Sequence, residues 1–234
     1  RVLFRSDVII TIVGYPKDVE EVYFGESGIL ANAKEGTIVI DMTTTSPKLS
    51  IRIYEEAKSR DIKALDAPVS GGDIGAKNGT LSIMVGGDKN AFEECKDVLE
   101  CIGTNIIYEG RAGNGQHTKM ANQIAIAGAV SGVCEAITYA KKAGLDVNTM
   151  LNSISEGAAG SWQMSNMGPK MINEDFAPGF YIKHFIKDMK IAVEECVEFN
   201  SELKVLNKVL EMYETLEVND CGDFGTQALI KYYE

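Results

Sequence analysis

Between Asp7 and about Gly110, short Val- and Ile-rich runs trade places with helix-forming ones. Few architectures accept that order: strands separated by helices form a mostly parallel sheet with helices on its faces. "DVIITIV", "TIVIDM" (Thr37 to Met42), "IKALDAPV", "TLSIMVGG" and "NIIYEG" read as strands. An acidic helical stretch starts at Asp18, and "KNAFEECKDVLECIG" reads as a helix ending at Gly103. "SPKLSIRIYEEAKSR" opens with Ser46 as N-cap and Pro47 at the first helical position, a strong start signal. After Gly115 the strand pattern stops. Apolar residues then recur at helical spacing through "HTKMANQIAIAGAVSGVCEAITYAKKAG" to a stop at Gly144, and further helices begin near Asp146, Gly179, Leu203 and Phe224. The expected organisation is an α/β domain over residues 1–111 and an all-α domain over 112–234.

Charge narrows the partners. Net charge is −11, with no basic run, which argues against nucleic acid and anionic membrane surfaces. No apolar run approaches the roughly 20 residues needed to span a bilayer, and the first apolar run, "DVIITIVG", reads as too short for a signal peptide and has no small-residue cleavage site after it. The five cysteines (Cys95, Cys101, Cys134, Cys196, Cys221) form no CxxC pair and are odd in number. They read as reduced core cysteines of a cytoplasmic protein. With two histidines in the chain, a His-rich metal site is excluded and no metal is expected.

Four stretches carry chemistry. "DAPVSGGDIGAKNGTLSIMVGG", Asp66 to Gly87, places a glycine-rich middle between two strands. It reads either as a long loop or as an anion cradle, in which Ser70 offers a hydroxyl and Gly71 and Gly72 offer amides with no Cβ in the way. In "GNGQHTKMANQ", Lys119, Asn122 and Gln123 share a helix face by their i, i+3, i+4 spacing. That face is either solvated or, since the helix is otherwise apolar, part of a pocket in which burial lowers the lysine's pKa and suits it to proton transfer. In "DMTTTSP", Thr43, Thr44 and Thr45 follow a buried strand, and Ser46 already supplies the helix cap. "PGFYIKHFIKDMK" puts Phe180, Lys183, His184, Lys187 and Asp188 on about one face of an amphipathic helix. Gly128 and Gly132 suggest close helix packing; Trp162, His117 and His184 read as structural.

These motifs, in this order, resemble the β-hydroxyacid dehydrogenase family, which includes 3-hydroxyisobutyrate dehydrogenases and 2-hydroxy-3-oxopropionate (tartronate semialdehyde) reductases. The resemblance covers essentially everything after Ser6. It implies a Rossmann-like domain missing its first βαβ elements, followed by a helical domain, and NAD or NADP as cofactor. It also implies roles: Lys119 and Asn122 catalytic; Ser70, Gly71, Gly72, Gln123, Phe180 and Asp188 on the substrate side; Thr44 and Lys187 on the cofactor. A small carboxylate is the implied substrate and a homodimer or homotetramer the implied assembly. A related 6-phosphogluconate-type decarboxylating dehydrogenase is the alternative enzyme, although "KMANQ" lacks its histidine. A non-catalytic dimerising or reader protein on the same fold is the alternative class, although Lys119 is present.

The start of the chain carries its own expectation. "RVLFRS" is similar to the translated end of a sequencing adapter, and no G-x-G-x-x-G turn precedes the first strand. The chain is expected to be a piece whose native part begins near Asp7, lacking the phosphate-binding glycines and the residue that selects NAD or NADP. On that reading it binds dinucleotide poorly and shows little activity by itself.

Overall fold

The computed structural model describes residues 5–234; the reading of "RVLFRS" falls, for residues 1–4, outside them. The chain forms two compact units, Arg1–Ala121 and Asn122–Glu234. The division lies inside a helix, ten residues beyond the change in sequence texture.

In the first unit, strands β1 (Val8–Thr11), β2 (Ile38–Asp41) and β3 (Lys63–Asp66) pair in parallel and in step, so that Thr11, Asp41 and Asp66 stand level at their carboxyl ends. Helices α1 (Pro16–Phe24), α2 (Ile29–Asn32) and α3 (Pro47–Lys58) connect them. As its sequence requires, α3 is capped by Ser46, whose Oγ accepts the Leu49 amide at 3.1 Å. All four residues of β2 are buried, since both faces of the sheet are covered. Ile38 and Ile40 join a core with Leu65, Ile83, Val85 and Phe92, while Val39 joins Val19, Tyr23, Ile53 and Ala57 on the other face.

The sheet is mostly, not wholly, parallel: the next strand reverses. β3 and the short β4 (Val69–Ser70) both pair antiparallel with β5 (Leu81–Gly87), and β6 (Gly103–Gly110) runs parallel to β5. Residues 71–80 link β4 to β5, and a parallel crossover needs about a dozen residues or more. The chain therefore turns back. Within that link the glycine-rich middle is not a long loop: it holds helix α4 (Gly72–Asn78). Between β5 and β6, α5 (Lys89–Glu100) is long enough for a parallel return; it stops before Gly103, which belongs to β6.

Helix α6 (Asn114–Lys142) begins in the first unit and continues into the second. By length and composition alone it could cross a membrane, with an 18-residue window of mean hydropathy 1.3. Polar residues interrupt the helix, so no unbroken apolar run marks it in the sequence. Its buried residues Ala127, Val130, Val133, Cys134, Ile137 and Ala140 nonetheless recur at core-helix spacing.

The second unit adds α7 (Val147–Ser155), α8 (Trp162–Asn166), α9 (Gly168–Ile172), α10 (Ile182–Glu198), α11 (Lys204–Leu216) and a C-terminal 3-10 helix (Thr226–Tyr233). The starts near Asp146 and Leu203 hold, and Asp146 caps α7 through the Thr149 amide at 2.7 Å. α8 and α9 are too short for periodicity to reveal. Several smaller expectations need correction. A Cβ placed at Gly128 or Gly132 would meet nothing within 4 Å, so among the described residues no other element packs closely there. Trp162 is 61% exposed rather than packed, and Cys101 is exposed while Cys95, Cys134 and Cys221 are buried.

Candidate active site

The carboxyl ends of the parallel strands are organised by Asp66. Its Oδ1 accepts the Gly113 amide at 2.8 Å and its Oδ2 the Gln116 amide at 3.0 Å, satisfying first-turn donors of α6 that no intrahelical carbonyl can reach. A carboxylate also complements the positive helix end. Burial pushes its pKa up, against the pull of those amides. Space for this contact exists because Gly86 has no side chain: a Cβ there would lie 2.7 Å from Asp66 Oδ1 and 2.8 Å from the Gly115 nitrogen.

Gln116, fully buried on α6, then grips the turn after β2. Its Oε1 accepts the Thr45 amide at 3.1 Å and its Nε2 donates to the Thr43 carbonyl at 2.8 Å. Thr43 and Thr45 are buried by this arrangement, whereas Thr44 between them is partly exposed. The turn thus presents one threonine of three at the carboxyl edge of an open α/β sheet, where such sheets bind ligands.

Ser70 is half-buried on β4, opposite Ser82 of β5. Gly71 and Gly72 follow with φ of +130° and +64°, conformations that residues with a Cβ adopt only under strain, and both are exposed. The backbone after Ser70 is bare and held in place by its own geometry.

Lys119 stands in the second turn of α6 at 6% exposure, with Gln116 and Gln123 also buried. Positions 116, 119 and 123 are one helix face, and it is the polar face that is buried. The solvated reading is therefore excluded. His117 beside it is half-buried.

In the second unit a buried polar chain joins α6 to α10. Asn122 Nδ2 donates to Gln123 Oε1 at 2.8 Å, and Gln123 Nε2 donates to Asp188 Oδ2 at 2.6 Å. Lys187 Nζ lies 3.0 Å from Asp188 Oδ1, close enough for an ion pair but without hydrogen-bond alignment, which leaves Oδ1 with no bonded donor. Asp188 is 1% exposed. Contrary to the one-face reading, Asp188 points inward while Lys183 and His184 remain partly exposed, and Phe180 is not on the helix at all. Tyr181 is the N-cap of α10, and Phe180 precedes it, its ring 5.8 Å from that of Phe185. Burial, with Lys187 and Lys183 nearby, lowers the His184 pKa.

Sequence reasoning missed Asp41, Asp66 and Gln116. Gln116 was within reach, because it shares the helix face of Lys119 and Gln123. The two aspartates end apolar strands, where a charge is out of place unless it has partners. Among the described residues no group of His, Cys, Asp and Glu could hold a metal ion.

Comparisons with known proteins identify the family. Residues 1–110 match the family model described as the NAD binding domain of 6-phosphogluconate dehydrogenase, and residues 113–233 match that described as NAD-binding of NADP-dependent 3-hydroxyisobutyrate dehydrogenase. The chain is 56% identical to the uncharacterised oxidoreductase YkwC of Bacillus subtilis, over 98% of this chain and 80% of that protein. It is 37% identical to the 2-hydroxy-3-oxopropionate reductase of Escherichia coli, over 98% and 78%. The Mycobacterium tuberculosis 3-hydroxyisobutyrate dehydrogenase, solved with L-serine, superposes with a TM-score of 0.89 at 29% identity, covering 98% of this chain and 80% of that one. The two family models, which together cover nearly the whole chain, and these relatives lead to one conclusion: the chain belongs to the β-hydroxyacid dehydrogenase family of NAD(P)-dependent oxidoreductases.

Proposed function

We propose that this protein interconverts a small β-hydroxyacid and its semialdehyde, as a 2-hydroxy-3-oxopropionate reductase or 3-hydroxyisobutyrate dehydrogenase does. The observation that carries the reading is Lys119, 6% exposed on the one polar face that α6 buries. Burying a lysine is costly, and a use for its charge or its proton in the reaction offsets that cost. When bound, the nicotinamide cofactor supplies or accepts the hydride. The Ser70 hydroxyl and the Gly71 and Gly72 amides hold the substrate carboxylate, which orients the neighbouring carbonyl. In reduction, the Lys119 ammonium stabilises the developing alkoxide and gives it a proton; in oxidation, neutral Lys119 takes the alcohol proton. Asn122 and Gln123 position the reacting oxygen, with Gln123 anchored on Asp188. Phe180 lines the substrate side, and Thr44 and Lys187 contact the cofactor. The relatives named for small hydroxyacids support the substrate class.

The test is a panel of small hydroxyacids and semialdehydes, assayed with NAD(H) and NADP(H) on the native full-length chain and on Lys119→Ala. Turnover should fall at least about a hundredfold in the variant, the scale of a lost acid–base group. Near-normal turnover without the lysine overturns its role, and a wild type inactive on every acid of the panel overturns the substrate class.

A further inference from the structure

Asp41, the last residue of β2, is 3% exposed, and its position in the hydrogen-bond pattern is unusual. One oxygen, Oδ1, accepts the Thr43 amide at 3.1 Å and the Thr11 hydroxyl at 3.1 Å. Thr11 Oγ1 lies 2.9 Å from the Tyr23 hydroxyl, so with the threonine hydrogen on Asp41 the tyrosine donates to Thr11. Thr43 Oγ1 in turn accepts the Val13 amide at 2.9 Å. Groups from α1, from β1, from the loop after β1 and from the turn after β2 are thereby tied through a single carboxylate.

Those two connections leave the carboxyl ends of adjacent parallel strands. The Thr43–Thr45 turn is held from α6 by Gln116, but the Val13 loop reaches that turn through Thr43 Oγ1, and Thr43 is oriented by Asp41. We propose that Asp41 is a positioning residue for the cofactor surface, locking the loop after β1 onto the Thr43–Thr45 turn so that Thr44 is held in one place. The proposal rests on the reading above that Thr44 contacts the cofactor.

The environment explains why the residue is an aspartate. Every group that reaches Oδ1 is a donor, which an acceptor-only side chain satisfies without conflict. Its second oxygen, Oδ2, receives no donor and is buried. Burial pushes the Asp41 pKa up to about 6, with Asp66 across the sheet adding to the rise and the bonds from Thr43 and Thr11 opposing it. Tyr23, facing it from α1, is held neutral because burial raises its own pKa further. The tie is therefore strongest when the carboxylate is ionised, since charge-assisted hydrogen bonds are the stronger ones.

Steady-state kinetics on the native full-length chain test this with Asp41→Asn, Thr43→Val and Thr44→Ala, each against varied NADH and NADPH. Asp41→Asn and Thr43→Val should each raise the cofactor KM about tenfold, the effect on KM exceeding that on kcat, because loop pre-organisation is lost rather than chemistry. Thr43→Val removes the acceptor for Val13 while leaving Asp41 itself intact, so it carries the test if Asp41→Asn fails to fold. Relative to Asp41→Asn, the wild-type cofactor KM should also worsen as pH falls through about 6. An unchanged cofactor KM in Thr43→Val, or in a folded Asp41→Asn, overturns the proposal. If Thr44→Ala raises KM in that case, the cofactor reading survives; if it does not, both fail.

Discussion

Removing the carboxylate of Asp188 should be among the most damaging single changes available in the helical unit. The side chain is 1% exposed, takes the Gln123 amide at 2.6 Å and lies 3.0 Å from the Lys187 ammonium, itself only 12% exposed. Asp188→Ala takes the carboxylate from beside the partly buried Lys187 ammonium and removes the acceptor of the Gln123 amide hydrogen. The first loss is worth about 3–5 kcal/mol where a buried pair is broken from one side, and the second belongs to the same network, so the two do not simply add. The expected destabilisation is about 3–5 kcal/mol, read as a fall in the urea midpoint monitored by circular dichroism. If the cost arises from breaking the ion pair, Lys187→Met combined with Asp188→Leu should recover most of it, because well-packed apolar residues replace buried ion pairs at little net cost. A single-variant loss below about 1 kcal/mol, or a double variant as unstable as Asp188→Ala, refutes the reasoning.

Other consequences can be checked directly. Ser70→Ala should raise the KM for an acid substrate by the about 1.5–3 kcal/mol of a hydrogen bond to a charged group, and equal rates for acid and amide substrates in the wild type would contradict the carboxylate cradle. Gly86→Ala should lower stability by about 1–3 kcal/mol, since its Cβ would meet Asp66 Oδ1 at 2.7 Å and two backbone atoms below 3.0 Å; an unchanged denaturation midpoint would contradict it. Asp41 makes stability depend on pH with a defined sign. Its folded pKa, about 6, exceeds the ordinary 3.8, so the folded state holds the extra proton and the contribution is lost as pH rises through 6. Between pH 5 and pH 7.5 the wild type should lose about 1.4 kcal/mol relative to Asp41→Asn, and an equal pH dependence in the two proteins would exclude this titration.

Much of this arrangement was legible from local chemistry. Val and Ile alternating with helix formers identified the α/β half, Ser46 and Pro47 marked the start of α3, Asp146 marked α7, and the glycines after Ser70 announced backbone that a Cβ would obstruct. Each of these signals acts within a few residues, through φ and ψ preferences and side-chain period, and so survives in the sequence alone. What tertiary structure decided are contacts between residues far apart in the chain. Asp66 reaches the amide of Gln116 fifty positions on, Gln116 reaches back to Thr43, and Gln123 meets Asp188 across 65 positions. No local preference encodes such pairings; they follow from which elements the core packs together. Packing also decided that Thr44, not its two neighbours, would be presented, and that Asp188 would turn inward away from Lys183. The reversal of β5 is intermediate. The length of its connection is written in the sequence, but the seven-residue helix within it came from glycine-rich residues whose intrinsic preference is against helix, and only the fold overrides that.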